Sequence, residues 1–256
     1  MPELDKGAGL VSLDKFRLGA AQIFVPVSMA KIKGQQKPGA VAEVFVDDFM
    51  DYVTGPKVDA HIITSEGLYA NDESLTAFKW RGMLDTSMRY RRKFSQLIDQ
   101  AASENSMVIP YAYQLHGWDQ MMFSVSDFGV MRGRLRQAYN TDPSFKDAVH
   151  ADLARQGRQP TPDKIAFILE EHALTYALMT EQASLERRLT SPNSLDQQIF
   201  AYPGPLMDSQ IKAYEVLHGR TQIPDGQWLY ADVSDKPMRL YDIGRIMRRN
   251  SACTPV

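Results

Sequence analysis

The chain has 256 residues, 44% of them hydrophobic and 23% charged, with 29 Lys and Arg against 31 Asp and Glu. A chain of this length and composition can bury a full core without disulfides or metal, and a wholly disordered state is excluded. The single cysteine, Cys253, excludes a disulfide scaffold or a zinc site built on several thiolates, and fits a reducing compartment.

Residues 1–19 read as a lead-in without clear period, and 20–256 as one domain. No apolar run approaches the roughly 18 residues of a membrane helix. The opening MPELDKGAG lacks the basic start and apolar stretch of a secretory signal. The expected setting is cytoplasmic, with no membrane partner. AAQIFVPVS, from Ala20 to Ser28, reads as a buried strand ending in a small polar residue. Ala40 to Tyr52 has helical apolar spacing, and Asp59 to Thr64 is a second short strand. Thr76 to Ala101 is the clearest helix, with Trp80, Met83, Leu84, Tyr90, Phe94, Leu97, Ile98 and Ala101 on one stripe. Its polar side carries Lys79, Arg81, Arg89, Arg91, Arg92 and Lys93 against one acid, Asp85.

Met107 to Tyr113 reads as a third strand, although Pro110 costs it a ladder hydrogen bond unless it sits at an edge or bulge. Helices are predicted over Phe128 to Tyr139, Pro143 to Gln156, and Thr161 to about Ser184, the last two opening with Pro in the first turn. Gln198 to Tyr202 and Gln227 to Val233 read as strands, Asp208 to Leu217 and Leu240 to Arg248 as helices. Strands separated by helices predict an α/β fold: a single Rossmann-like domain, its mostly parallel sheet carrying helices on both faces.

Several chemistries lose ground on missing motifs. The chain has no G-x-G-x-x-G after the first strand, no G-x-x-x-x-G-K-[ST], no G-x-S-x-G and no H-E-x-x-H. Its five histidines show no pairing at metal-ligand spacing, so no metal and no cofactor are expected. Ser28 is the first positive signal, because ligands in doubly wound sheets sit outside the carboxyl ends of strands. The bland alternative is that it caps or satisfies a turn. The basic helix is the second signal. Arrays of this kind bind phosphate backbones, and a solvated helix face is the alternative. The third is the apolar segment from His172 to Glu181, where Glu181 either meets a cation or pairs with Arg187 or Arg188, and Tyr176 either moves protons or fills core.

In order and character these pieces resemble the cyclodipeptide synthases, over roughly Ala20 to Tyr230. That family has a class-I aminoacyl-tRNA-synthetase-like Rossmann domain without ATP binding. It joins two aminoacyl-tRNAs into a diketopiperazine through an aminoacyl-serine intermediate. Gln22-Ile-Phe-Val-Pro-Val-Ser28 resembles the family's His-x-aliphatic-aliphatic-Gly-aliphatic-Ser, with Ser28 in the nucleophile position. The long helix from Lys79 to Lys93 resembles the tRNA-contacting helix. Tyr176 and Glu181 resemble the family's Tyr–Glu pair, Ser191-Pro192 its following turn, and Tyr202 its later catalytic Tyr. There are departures: Gln22 stands for the His, Pro26 for the Gly, and Lys31 for an Asn. Tyr176 and Glu181 are five apart where the family has four, so a π-bulge would be needed to align them.

Such departures imply a divergent member, of which the fungal arginine-containing cyclodipeptide synthases are one branch. An arginyl substrate would need a carboxylate in its pocket, with Asp47, Glu170 and Glu171 as candidates. The resemblance also implies a monomer. On it, Ser28 takes the aminoacyl group, Glu181 holds the α-ammonium, Tyr176 moves protons, and a second aminoacyl-tRNA delivers the attacking amine. Two alternatives stay open: a non-catalytic tRNA-binding protein with the same fold, and a serine-dependent acyltransferase or hydrolase acting on small esters or thioesters.

Overall fold

The structure is a computed structural model that describes residues 5–17, 19–44, 57–71, 75–104, 111–183, 185, 197–219 and 223–252. Among these, seven strands form one sheet: β1 (Leu10–Val11), β2 (Ala21–Val27), β3 (Val58–Thr64), β4 (Tyr111–Gly117), β5 (Gln197–Tyr202), β6 (Trp228–Asp232) and β7 (Arg239–Asp242). Their order is β1-β7-β6-β5-β2-β3-β4. The five strands β2 to β6 are parallel, and β7 and β1 extend the β6 edge through antiparallel pairs. Every residue of β2 and of β3 is buried, as expected of central parallel strands covered on both faces.

The helices are α1 (Pro38–Glu43), α2 (Ala77–Glu104), α3 (Trp118–Ser124), α4 (Phe128–Thr141), α5 (Pro143–Arg155), α6 (Pro162–Met179), α7 (Asp208–His218) and α8 (Ile243–Ala252). They divide between two cores. On one face Val41 of α1 and Tyr90, Phe94 and Ile98 of α2 pack with Ile23, Val25 and Ile62. On the other, α3 to α8 pack around Phe24, Leu135, Phe145, Leu174, Tyr214 and Ile246. Full burial of one side chain such as Phe145 is worth about 1.5–3 kcal/mol, so each layer is fixed by a few aromatic and branched residues.

The chain reverses direction across the sheet between β2 and β5, and there the two strands separate. Their pairing ends at Phe24 with Phe200, while β2 continues to Val27 beside β3 and β5 to Tyr202 beside β6. Pro26 has no N–H with which to extend a ladder. Gln36 takes up the freed backbone: its Nε2 donates to Pro26 O at 2.7 Å and its Oε1 accepts from Ser28 N at 2.8 Å. A crevice therefore opens at the carboxyl ends of the strands, at the point where doubly wound sheets hold ligands.

Several expectations shift. The lead-in supplies an edge strand, β1, and a 3-10 turn, Lys6–Gly9, that packs on α8. The third strand starts at Tyr111, beyond Pro110, so Gln114 and His116 are strand residues; Met107 to Pro110 lie outside the described residues. Only Pro38–Glu43 of the predicted second element is described as helix. Asp47, Arg187, Arg188 and the Ser191-Pro192 turn lie outside the described residues. The region read as a last helix begins as β7 and becomes helix at Ile243, because RLYD is too short for its alternation to stand out from the helical spacing that follows. Helix α3 has no counterpart among the predicted elements. Finally, α6 contains no π-bulge. It closes at Met179 with Glu181 N donating to Leu178 O and Gln182 N to Ala177 O, a Schellman stop with Glu181 at φ 58°.

Candidate active site

A pocket of about 380 Å³ occupies the crevice, and Ser28, Lys31, Arg158, Glu171, Tyr202 and Gln210 are among its walls. Ser28 follows the last residue of β2. Its carbonyl accepts from Lys31 N at 2.9 Å, so backbone groups and Gln36 hold the turn and the hydroxyl is not used as a cap. Tyr202 ends β5 across the crevice. Burial pushes its phenol pKa up, and the neighbouring Ser28 side chain offsets part of that rise. Below them Tyr230 donates to Gly204 O at 2.8 Å, and Gly204 N donates to Asp232 Oδ1 at 3.1 Å. Gly204 holds φ 146°, a backbone setting that favours glycine, and so keeps this wall tight.

Glu171 comes in from α6. Burial raises its carboxyl to about 7, against the pull of Arg158 and Lys31. Lys31 in turn is lowered by its own burial, while Glu171 and Asp232 favour its charge. The Lys31 ammonium donates to Pro203 O at 2.9 Å and stands 4.3 Å from the centre of the Tyr202 ring. The pocket thus joins a serine hydroxyl, a phenol, and a carboxylate poised near neutrality between two cations. That set can accept an acyl group, hold an ammonium and move a proton.

Of the residues singled out from sequence, Ser28, Tyr202 and Glu171 meet here. Tyr176 and Glu181 do not line this pocket. Tyr176 is buried, packs edge-on against Tyr214 and Trp228, and lies 3.3 Å from His218 Nδ1 through its hydroxyl. Glu181 accepts from Gln198 Nε2 at 2.6 Å, beside the amino end of β5. Glu171 stands eight residues before the end of α6 at Met179, about 12 Å along its axis, and Glu181 lies just past that end, which places the two carboxylates near opposite edges of the sheet. Glu170 is also outside the pocket. It is buried beside Trp118 Nε1 (3.4 Å) and Arg132 (3.3 Å). The pocket residues that sequence reasoning passed over include Phe167, Arg158 and Gln210. Phe167 carried a signal, because it stands four residues before Glu171.

The basic helix projects beyond the same edge. Ser87 Oγ donates to Thr64 Oγ1 at 2.8 Å, which places Ser87 level with the last residue of β3. The first turns of α2, the ten residues from Ala77 up to Ser87, therefore extend about 15 Å past the sheet. Lys79, Arg81, Arg89, Arg92 and Lys93 are exposed. Arg91 differs: it is half-buried and sits 3.8 Å from Glu66, whose carboxyl is raised by burial. Three more arginines stand close together on α4, at Arg132, Arg134 and Arg136; Arg132 pairs with Glu170 and Arg134 donates to Val216 O at 2.6 Å, so these two are engaged in packing helices together. Among the described residues no helix is long and apolar enough to cross a membrane, and no group of three or more His, Cys, Asp or Glu is placed to hold a metal ion.

No protein-family model and no curated protein matches the chain. Solved structures do. A cyclodipeptide synthase from Fluoribacter dumoffii aligns with TM-score 0.53 and 12% identity over 76% of this chain and 81% of its own. A Mycobacterium tuberculosis protein, described as relating cyclodipeptide synthetases to type I tRNA synthetases, aligns with TM-score 0.51 and 10% identity over 87% and 86%. A cyclodipeptide synthase from Candidatus Glomeribacter gigasporarum, solved bound to Phe-tRNA, aligns with TM-score 0.50 and 13% identity over 85% and 89%. The fold is thus the class-I tRNA-synthetase-like α/β fold of these enzymes.

Proposed function

We propose that this protein is a tRNA-dependent cyclodipeptide synthase, an aminoacyltransferase that needs no ATP and works through an aminoacyl ester on Ser28. The observation that carries this reading is the meeting of Ser28, Glu171 and Tyr202 in one pocket at the strand ends, with the exposed Lys79 and Arg81 of α2 past the same edge of the sheet. The fold it shares with cyclodipeptide synthases, one of them solved with Phe-tRNA, supports the same reading.

The roles proposed for its residues are these. Ser28 Oγ attacks the aminoacyl ester of the first tRNA; the acyl–oxygen bond to the tRNA breaks as the bond to Ser28 forms, and the serine proton leaves on the tRNA hydroxyl. Glu171, rather than Glu181, faces the α-amino group. A carboxyl that titrates near 7 can hold an ammonium and accept its proton when the amine must attack. Tyr202 stands beside the serine oxygen and relays protons as hydroxyl and alkoxide exchange. Over the cycle two tRNA esters become two amides, so the activated esters supply the driving force. Phe167 and Glu171 restore the four-residue spacing that the resemblance calls for, with Phe in the place of Tyr, and both line the pocket. Exposed cations of α2 hold the acceptor arm through phosphates.

An arginyl substrate is the finer form of the reading. Of its three candidate carboxylates, Glu171 lines the pocket, and buried Asp152 lines it as well, 2.9 Å from Arg155. The test is incubation with charged tRNAs lacking ATP, followed by mass spectrometry for cyclic dipeptides. A product that Ser28→Ala abolishes supports the synthase. Steep salt-dependent tRNA binding without product from any charged tRNA would favour the binding-protein alternative, and turnover of small esters unaffected by removal of the α2 arginines would favour the acyltransferase or hydrolase.

A further inference from the structure

Phe78 is the most exposed large apolar side chain among the described residues, at 88%. It stands nine residues before Ser87 on α2, in the part of that helix that extends past the carboxyl edge of the sheet. At 100° per residue its direction lies within about 60° of Arg81, Asp85, Arg89 and Arg92, so an aromatic ring heads a stripe of three guanidinium groups and one carboxylate. An exposed Phe beside Lys79 and Arg81, on the face that carries Arg89 and Arg92 further along, is a poor surface for an apolar protein partner, because burying that face would strand several cations. It is a good one for a nucleic-acid strand. Cations track the phosphates, and a flat ring stacks on any unpaired base that leaves the duplex.

We infer that Phe78 is a stacking platform for an unpaired base at the single-stranded 3′ end of an RNA whose duplex part lies on the α2 cations. The inference rests on the proposed tRNA dependence and deepens it. The ring stands past the same sheet edge as the pocket mouth, so an end stacked there is held on its way to Ser28. Phosphate contacts set the affinity for any duplex, whereas Phe78 sets the preference for a duplex with a free single strand.

The experiment compares two RNA hairpins, one blunt and one with a short 3′ overhang carrying 2-aminopurine, titrated into the full chain at several salt concentrations. Wild type is expected to quench the fluorophore and to bind the overhang hairpin about tenfold tighter than the blunt one, the order of one base–aromatic stack. Phe78→Ala is expected to lose both the quench and the preference with an unchanged salt slope, and Phe78→Trp to keep both. Arg89→Ala is expected to weaken both hairpins alike and to lower the salt slope. Phe78→Ala that still quenches and still prefers the overhang would overturn the platform while leaving tRNA dependence standing. Wild type that binds neither hairpin would overturn both, a different and distinguishable result. Because Phe78 is exposed, the alanine variant is expected to melt with wild type, which a thermal scan verifies.

Discussion

Glu171 and Glu181 lie on or just after one helix, and of the two only Glu171 lines the pocket, so the proposed function gives the chemistry to Glu171. Glu171→Gln is expected to lower cyclic dipeptide formation about 10²–10⁴-fold, while Glu181→Gln leaves it near wild type, read by product mass spectrometry. In the proposed function the ionised form of Glu171 holds the substrate ammonium, so activity should fall as pH drops through about 7. Lys31 pulls that carboxyl down, so Lys31→Met should move the acid limb to higher pH. Folded Glu171 keeps its proton to a higher pH than the unfolded chain, whose carboxyl titrates near 4.5. It therefore erodes stability as pH rises from about 4.5 to 7. Glu171→Gln should raise Tm at pH 8 more than at pH 5, and an equal gain at both would contradict the shift. Ser28 is legible from its position at a strand end, and Tyr202 only through the family resemblance. Glu171 is legible only as a side-chain selector, because the apolar stretch around Tyr176 points to the other end of α6.

At the scale of elements, the loop after β2 and the helix α2 carry the site. Gln36 is buried and satisfies two backbone groups around Pro26 and Ser28. Gln36→Ala should cost about 1–3 kcal/mol in denaturant unfolding, because it leaves both groups without a partner. It should also lower activity through displacement of Ser28. Arg91→Ala should cost a similar amount by depriving Glu66 of its cation, whereas Arg89→Ala and Arg92→Ala should stay within about 0.5 kcal/mol. The apolar stripe of α2 is readable because Tyr90, Phe94 and Ile98 seal the sheet. Its first part is less buried, since Trp80, Met83 and Leu84 lie beyond the strands. Strand β4 escapes a reading by apolar runs because Gln114 and His116 interrupt it, and their place in the strand depends on tertiary partners: His61 Nδ1 lies 3.2 Å from His116 Nε2.

For the whole molecule, charge placement matters more than its total of −2. Of the exposed cations of α2, Lys79 and Arg81 stand past the carboxyl edge of the sheet and Arg89, Arg92 and Lys93 alongside it, while other arginines are held in internal pairs. Removing Arg89 and Arg92 together should lower the slope of log affinity for tRNA against log salt by about 2, close to one for each phosphate no longer neutralised. The fold class and the strands that flank the crevice are accessible from alternating strands and helices. The antiparallel β7–β1 edge is not, because two short strands gain their meaning only from the sheet they join. The most direct measurement is one incubation of wild type, Ser28→Ala and Glu181→Gln with a full set of charged tRNAs and no ATP, with cyclic dipeptides read by mass spectrometry. Product from wild type and Glu181→Gln but none from Ser28→Ala is the expected result. Product that persists in Ser28→Ala, or none from wild type with any charged tRNA, would contradict the synthase.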